Sequence, residues 1–126
     1  MTHHVLVVDD DPLVRDLLAT FLDHEEFRVT TVADGAAGLR ILADGHPDVM
    51  VCDVVLPDID GLEVCRRAKA DPRTADTPVI LLTGHFDSGG RQAAEAAGCD
   101  AYMTKPFRPL ELLEAIRAAR NGREDG

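Results

Sequence analysis

Short apolar runs separated by stretches of helical length are the dominant pattern along this chain. Four runs stand out and a weaker fifth follows them: Val5–Val8, Val29–Val32, Val49–Cys52, Val79–Leu82 and Ala101–Thr104. Each run has the length of a β-strand, and turn-forming residues lie between the runs. Strands that alternate with helices predict a parallel sheet covered by helices on both faces. The pattern therefore predicts an α/β fold.

Helix-starting residues stand between the predicted strands. Asp11 followed by Pro12 is typical of an N-cap and a first helical turn, and Asp34 and Asp60 are placed to cap two further helices. We expect Gly45 to close the second helix, because glycine commonly ends helices in a left-handed conformation. The third helix is predicted from Gly61 to about Ala70.

The first and last helices each carry a stripe of apolar side chains that is expected to face the sheet. The stripes consist of Val14, Leu17, Leu18, Phe21 and Leu22 in the first helix and of Leu112, Leu113, Ile116 and Ala119 in the fifth, which starts at Pro109. The fourth helix is predicted between Ser88 and Gly98. It is rich in alanine, and Gly89–Gly90 weaken its first turn.

The composition of the strands also predicts their order in the sheet. The runs at 5–8, 49–52 and 79–82 are continuously apolar, as central strands of a parallel sheet are. The runs at 28–32 and 100–104 include polar residues and suit the edges. With strands numbered in chain order and right-handed crossovers, the prediction is a doubly wound, five-stranded sheet of order 2-1-3-4-5.

Length and charge limit the function classes. A chain of 126 residues with 45% apolar residues is predicted to form one folded domain over residues 1–120, followed by a polar tail at Asn121–Gly126. A net charge of −10 argues against direct binding of nucleic acid. No apolar run has the length of a membrane span and no signal peptide is recognisable, so we expect a cytoplasmic protein that binds no membrane.

Histidine and cysteine residues give little sign of a metal site. His3 and His4 are expected to belong to a flexible terminus. The three cysteines, Cys52, Cys65 and Cys99, are odd in number and lack CxxC spacing, so neither a disulfide framework nor a zinc site is predicted. Cys52 lies within an apolar run and is expected in the core.

Polar residues follow several of the predicted strands. Asp9 and Asp10 follow the first strand, Asp53 the third, Thr83 the fourth and Lys105 the fifth. The carboxyl ends of parallel strands share one edge, and ligands bind there where the strand order reverses. Three carboxylates in one crevice repel each other, which predicts a bound cation, and oxygen ligands favour Mg²⁺.

A carboxylate beside a metal ion can act as a covalent nucleophile towards a phosphoryl group. Lys105 would supply positive charge and the Thr83 hydroxyl a hydrogen bond to a phosphoryl oxygen. Each residue alone also has an ordinary explanation: a helix cap for Asp9–Asp11, a strand end for Asp53, a turn for Thr83–Gly84 and a surface position for Lys105. Their shared place at strand ends favours the chemical interpretation.

Four segments, VLVVDDDP, DVVLPDIDG, PVILLTG and AYMTKPF, resemble the response-regulator receiver family of two-component signal transduction, in order and with typical gaps. The resemblance covers Val5 to about Arg120 and implies a flavodoxin-like receiver fold. It implies that Asp9 and Asp10 hold Mg²⁺ together with Asp53 and the backbone carbonyl of Val55. It also implies that Asp53 is the phosphoacceptor.

The resemblance further implies how a signal passes through the domain. Thr83 and Lys105 would grip the phosphoryl group, Thr83 and Tyr102 would act as the switch pair, and the Lys105–Pro106 bond would be cis. The phosphoryl donor would be a sensor histidine kinase or a phosphotransfer protein. A downstream protein or output domain would respond to the surface of the fourth helix, fifth strand and fifth helix. Catalysis would be limited to the domain's own phosphorylation and dephosphorylation.

Three other interpretations stay open on the sequence alone. An enzyme of the haloacid-dehalogenase type also has a strand-end DxD, as Asp9 and Asp11 do, but Pro12 and Leu13 replace the residues that usually follow, and no acidic pair ends a strand after Lys105. A flavodoxin-like electron carrier would need a Ser/Thr-rich loop where this chain has acids. A receiver-shaped module that is never phosphorylated is the third.

Overall fold

Parallel strands and helices alternate along the chain in the computed structural model, which describes residues 3–23, 26–84 and 88–125. The elements are β1 (His3–Val8), α1 (Pro12–Leu22), β2 (Phe27–Val32), α2 (Gly35–Gly45), β3 (Val49–Asp53), α3 (Gly61–Ala70), β4 (Val79–Thr83), α4 (Ser88–Ala96), β5 (Ala101–Thr104) and α5 (Pro109–Asp125). The sheet has the order β2-β1-β3-β4-β5, and all its neighbouring strands are parallel. The predicted doubly wound α/β fold is confirmed.

Burial separates the central strands from the edge strands as the composition predicts. All of β3 and β4 and the last four residues of β1 are buried, whereas most of β2 and all of β5 are half-buried. Alternate side chains of a strand point to opposite faces, so the sheet carries two cores. Leu18, Leu22, Leu112 and Ile116 of α1 and α5 pack on one face. Leu42, Val64, Ala68 and Ala94 of α2, α3 and α4 pack on the other.

Aspartate caps start the first three helices at the predicted positions. In each case a carboxylate oxygen accepts a hydrogen bond from a backbone amide of the first turn, which would otherwise lack a partner. The pairs are Asp11 with Leu13 at 2.9 Å, Asp34 with Ala37 at 2.8 Å and Asp60 with Leu62 at 2.7 Å. These caps make each helix begin a few residues after the strand that precedes it.

The end of α2 differs from the prediction. Gly45 remains helical, and the left-handed residue that ends the helix is His46, with φ 45° and its N–H donating to the Leu42 carbonyl. The physical reason lies in the next residue. Pro47 disfavours the right-handed α conformation for the residue before it. The residue that leaves the helical conformation is therefore His46 and not Gly45.

The start of the sheet also differs from the prediction. His3 and His4 belong to β1 and not to a flexible terminus, since His3 pairs with Phe27. The His4 Nε2 atom lies 2.7 Å from the Thr30 hydroxyl, and the His4 N–H donates to the Asp48 carboxylate at 2.7 Å. The strand is therefore longer than the apolar run Val5–Val8, because its pairing with β2 continues through polar residues.

One member of the predicted α1 stripe does not face the core. Leu17 is 49% exposed, whereas Leu18 and Leu22 are fully buried. At the other end of the chain, α5 continues through Asp125, so the backbone of the predicted tail is helical as far as that residue. In α4, Ala94 is buried, whereas Ala96 is exposed.

The structure also describes the three cysteines and the apolar character of the helices. Cys52 and Cys65 are buried, Cys99 is half-buried, and all three thiols are free. Within residues 3–23, 26–84 and 88–125, no helix combines the length and the apolar character that a membrane crossing requires.

A methyl group at Gly61 should damage the junction between β3 and α3. The Gly61 N–H donates to the Val54 carbonyl at 2.7 Å, and an added Cβ would overlap the Asp53 carbonyl oxygen and lie 2.7 Å from the Val54 Cα. We expect Gly61→Ala to lower the free energy of unfolding by about 1–3 kcal/mol, as overpacking against backbone does. Urea denaturation measures the change. Gly84→Ala is the control, since its Cβ would meet nothing within 4 Å, and equal midpoints for the two variants would contradict the expectation.

Candidate functional site

Three carboxylates converge at the carboxyl edge of the sheet, where β1 and β3 lie side by side. Oxygen atoms of Asp9, Asp10 and Asp53 all lie within 4.8 Å of one another. Asp9 is fully buried, Asp53 is 6% exposed and Asp10 is exposed. The cluster therefore has a closed floor and one side open to solvent, at the place where the strand order reverses.

The ammonium group of Lys105 bridges the two buried carboxylates. Lys105 Nζ lies 2.8 Å from Asp9 Oδ2 and 3.0 Å from Asp53 Oδ2. The lysine follows β5 directly, and its own N–H donates to the Thr83 carbonyl at 2.6 Å, which fixes its backbone to β4. The Lys105–Pro106 bond is cis, as the resemblance implied. Four strands thus contribute residues to one edge.

Burial and charge perturb the groups of this site. Burial raises the pKa of Asp53 above its usual range; the Lys105 hydrogen bond opposes this shift, and the neighbouring Asp9 charge adds to it. Burial disfavours the charged ammonium of Lys105, but its hydrogen bonds to Asp9 and Asp53 prevail and raise its pKa. Lys105 therefore stays protonated at neutral pH, and one ammonium group balances only one of the three carboxylates.

Hydrogen bonds from α1 hold the first strand end in place. The Asp11 N–H donates to Asp9 Oδ1 at 2.9 Å, and Arg15 Nη1 donates to the Asp9 carbonyl at 2.9 Å. Sequence reasoning missed Arg15. Its only signal is a position six residues after Asp9 on the first turns of a helix, which does not separate it from an ordinary surface arginine.

The donor set fits a hard divalent cation. All three side chains offer carboxylate oxygens, the local charge is left negative by a single lysine, and the Asp10 side is open to water. Mg²⁺ favours such sites because it takes one or two carboxylates and keeps several water ligands. Val55 lies beside the cluster, and its backbone nitrogen is 3.4 Å from Asp53 Oδ1. Val55 is 66% exposed. The use of its carbonyl as a ligand stays a prediction.

Thr83 lies at the carboxyl end of its strand, whereas Tyr102 lies further back along its strand. Thr83 ends β4, is 6% exposed, and directly follows Leu82, the β-partner of Asp53. Tyr102 lies two residues back from the end of β5 and is half-buried. It lines a cavity of about 420 Å³ between α4 and β5 together with Arg91, Glu95, Cys99, Asp100 and Ala101. The structure therefore brings Thr83 to the carboxylate edge and leaves Tyr102 under α4.

An aspartate outside the carboxylate cluster connects the loop after β3 to α2. Asp58, in the loop after β3, accepts hydrogen bonds from the Gly35 N–H at 2.8 Å and the Ala36 N–H at 2.9 Å. Sequence reasoning missed this role. Asp34 is recognisable as a cap because it directly precedes its helix, but Asp58 is more than twenty residues away along the chain.

Comparison with known proteins agrees with this geometry. Residues 5–117 match the family described as the response regulator receiver domain. The DNA-binding dual master transcriptional regulator RpaA of Synechocystis is 37% identical over 114 residues, which are 90% of this chain and 47% of that protein. The chain thus spans about half the length of the curated relatives it matches.

Solved structures show the same fold. A CheY-like response regulator receiver domain protein from Methanospirillum hungatei has a TM-score of 0.92 and 28% identity, covering 99% of this chain and 98% of that one. The receiver domain of a sensor histidine kinase from Pseudomonas aeruginosa PAO1 has a TM-score of 0.87 and 29% identity, covering 96% and 99%. In that structure a magnesium ion is coordinated in the active site cleft. The match over residues 5–117, the shared strand order and the acidic cluster show that this chain belongs to the response regulator receiver domain family of two-component signalling.

Proposed function

We propose that this chain is a Mg²⁺-dependent phosphoacceptor switch in which Asp53 takes a phosphoryl group from a sensor histidine kinase or a phosphotransfer protein. One observation carries the proposal. Asp53 shares a single ammonium group with the buried Asp9, beside Asp10, whose side of the cluster is exposed to solvent.

The environment of Asp53 suits a nucleophile. Its raised pKa marks a carboxylate whose charge is only partly compensated, which favours attack on an electrophile. An Asp53 oxygen would form a bond to phosphorus while the bond from phosphorus to the donor's nitrogen or oxygen breaks, and the leaving group would keep that bonding pair. Lys105 can turn from Asp53 Oδ2 towards a phosphoryl oxygen because Asp9 Oδ2 still holds it. The Thr83 hydroxyl is proposed to donate to another phosphoryl oxygen.

Receiver domains bind Mg²⁺ in an acidic pocket, and this chain has such a pocket. The proposed ligands are the carboxylates of Asp9, Asp10 and Asp53 and the backbone carbonyl of Val55. The ion, when bound, would neutralise charge on the phosphoryl oxygens. The chain's own contribution is to hold these oxygens together despite their repulsion, which Lys105 partly offsets.

The output is proposed to leave through α4, β5 and α5. Thr83 and Tyr102 lie on the neighbouring strands β4 and β5, and Tyr102 lies under α4. Among residues 89–96 of α4, whose burial the structure describes, only Ala94 is buried against the sheet, and small side chains anchor a helix lightly. A phosphoryl group at Asp53 can therefore shift the position of α4 at small cost, which a downstream protein or output domain would detect.

An apolar groove beside Lys105 supports a protein as phosphoryl donor. Val14, Leu17, Lys105, Pro106 and Phe107 line a groove of about 410 Å³ next to the site. Leu13 and Leu110 add large apolar side chains that are 77% and 59% exposed. An exposed apolar groove of this kind is typical of a protein interface. We propose that the kinase or phosphotransfer protein docks here.

The wider setting is proposed on the same basis. The chain matches about half of relatives such as RpaA, and DNA binding is stated in the name of that longer protein. For residues 1–120 we propose a receiver domain that binds neither nucleic acid nor membrane, in keeping with a net charge of −10. Three free thiols fit the reducing cytoplasm. Its catalysis is proposed to be limited to its own phosphorylation and dephosphorylation.

Incubation with acetyl phosphate and Mg²⁺ tests the phosphoacceptor directly. The intact mass should rise by one phosphoryl group, and Asp53→Asn or removal of Mg²⁺ by EDTA should abolish the increase. Asp60→Asn is the matched control, because Asp60 lies in the same segment but caps α3 outside the cluster. Labelling of Asp53→Asn would refute the assignment, and an unlabelled parent would favour a module that is never phosphorylated.

Leu17→Glu should impair transfer from a protein donor only. A charge in the apolar groove opposes docking, so the rate of transfer from a phosphorylated histidine kinase that labels the parent should fall roughly tenfold, as at interface hot spots. The rate with acetyl phosphate should be unchanged, because a small donor needs no docking surface. Rapid-quench measurements of both rates decide the matter, and an equal loss with both donors would contradict the docking proposal.

Hydrogen exchange with beryllofluoride, a phosphoryl mimic, should locate the output surface. With Mg²⁺ and beryllofluoride present, we expect altered protection in α4, β5 and the start of α5, because α4 is the lightly packed element above Tyr102. The same additions to Asp53→Asn serve as the control and should change nothing. Changes restricted to α2 and α3 would show that the output surface lies elsewhere.

A further inference from the structure

We propose that Asp58 is a positioning residue that holds the loop after β3 (residues 54–60) against the first turn of α2. In doing so, Asp58 would set the place of Val55 beside the metal site. This inference rests on the Mg²⁺ site proposed above. It assigns to Asp58, a residue outside the carboxylate cluster, a part in the affinity of that cluster for Mg²⁺.

The loop is fixed at its base by backbone hydrogen bonds. The Val54 N–H donates to the Leu82 carbonyl at 2.8 Å, and the Gly61 N–H donates to the Val54 carbonyl at 2.7 Å. These bonds hold the two ends of the loop at the tip of β3. They do not reach Val55, whose position depends on what holds the rest of the loop.

The hold on Val55 itself is weak. Its N–H lies 3.4 Å from Asp53 Oδ1, a long hydrogen bond, and its residue is 66% exposed. Leu56 packs half-buried against the core, but apolar packing is not directional and fixes a neighbouring carbonyl less than a hydrogen bond does. Among the hydrogen bonds between described residues, the next directional restraint along the chain is at the Asp58 carboxylate.

Asp58 uses both carboxylate oxygens on α2. Oδ1 accepts from the Gly35 N–H and Oδ2 from the Ala36 N–H, at 2.8 and 2.9 Å. These amides belong to the first turn, whose third amide, that of Ala37, is capped by Asp34. The backbone bonds lower the pKa of Asp58, so it is ionised at neutral pH and favoured by the positive end of the helix.

The first turn of α2 is a firm reference for the loop. An added Cβ on Gly35 would lie 2.9 Å from Val64 Cγ2 and 3.1 Å from Ile59 Cβ, so α2 is packed closely on both the loop and α3. Asp58 therefore connects the loop to a helix that has little room to move. The loop carries Val55 between two anchors, the tip of β3 and the start of α2.

Isothermal titration calorimetry with Mg²⁺ alone tests this role. We expect Asp58→Ala to weaken binding on the order of tenfold, the lower end of the range for groups that orient metal ligands. Asp34→Ala is the matched control: it removes a cap from the same first turn without touching the loop, and it should bind as the parent does. Asp58→Asn keeps one oxygen acceptor and should fall between the parent and Asp58→Ala. Melting midpoints establish that each variant is folded.

Two results would overturn the inference: parental Mg²⁺ affinity in Asp58→Ala, or an equal weakening in Asp34→Ala, which would indicate a general effect of losing a cap. Asp10→Ala separates this inference from the proposed function. If Asp10→Ala binds Mg²⁺ like the parent, or the parent binds none, the metal site itself is wrong and both proposals fall. If Asp10→Ala loses binding while Asp58→Ala keeps it, only the role of Asp58 is wrong.

Discussion

Two buried carboxylates that share one ammonium group are the interaction on which the functional edge of this domain depends. Asp9 and Asp53 are held close together in a cleft where water screens their repulsion poorly, and Lys105 Nζ lies 2.8 and 3.0 Å from their oxygens. Burial raises the pKa of Asp53 despite the opposing hydrogen bond from Lys105, so the ionised carboxylate is held at a cost to the fold. The same imbalance supports the proposal that this edge binds a cation and accepts a phosphoryl group.

The buried central strands keep this unfavourable arrangement of charges in place. The strands that carry Asp9, Asp53 and Thr83 are the three central ones, apolar on both faces and covered by two helical layers. Their carboxyl ends are thus rigid relative to one another. The parts around them are less firmly held: among residues 89–96 of α4 only Ala94 is buried, and Asp58 in the loop after β3 accepts two hydrogen bonds from α2. This contrast supports the proposal that a change of charge at Asp53 alters the surface formed by α4, β5 and α5.

Much of this could be predicted from the sequence, because it depends on neighbours along the chain. Strand alternation, the caps at Asp11, Asp34 and Asp60, and the difference between central and edge strands are local patterns, and the structure confirms them. Residues placed at strand ends were recognisable because parallel strands must end at one edge. The gathering of Asp9, Asp10 and Asp53 followed from that rule and from the strand order.

Tertiary structure alone decided the features that join residues distant in sequence. The ion pairs of Lys105 with Asp9 and Asp53 join residues far apart along the chain. The hydrogen bonds of Asp58 join the loop after β3 to the first turn of α2. The extension of β1 to His3 depends on pairing with β2, and the exposure of Leu17 within the apolar stripe of α1 became visible only in the packed structure. Sequence by itself determined which residues form each element and which chemical groups stand at its end, since propensity, capping and alternation act over a few residues. Packing decided which of those groups meet, because a hydrogen bond or an ion pair between distant residues requires a geometry that exists only after the layers have assembled.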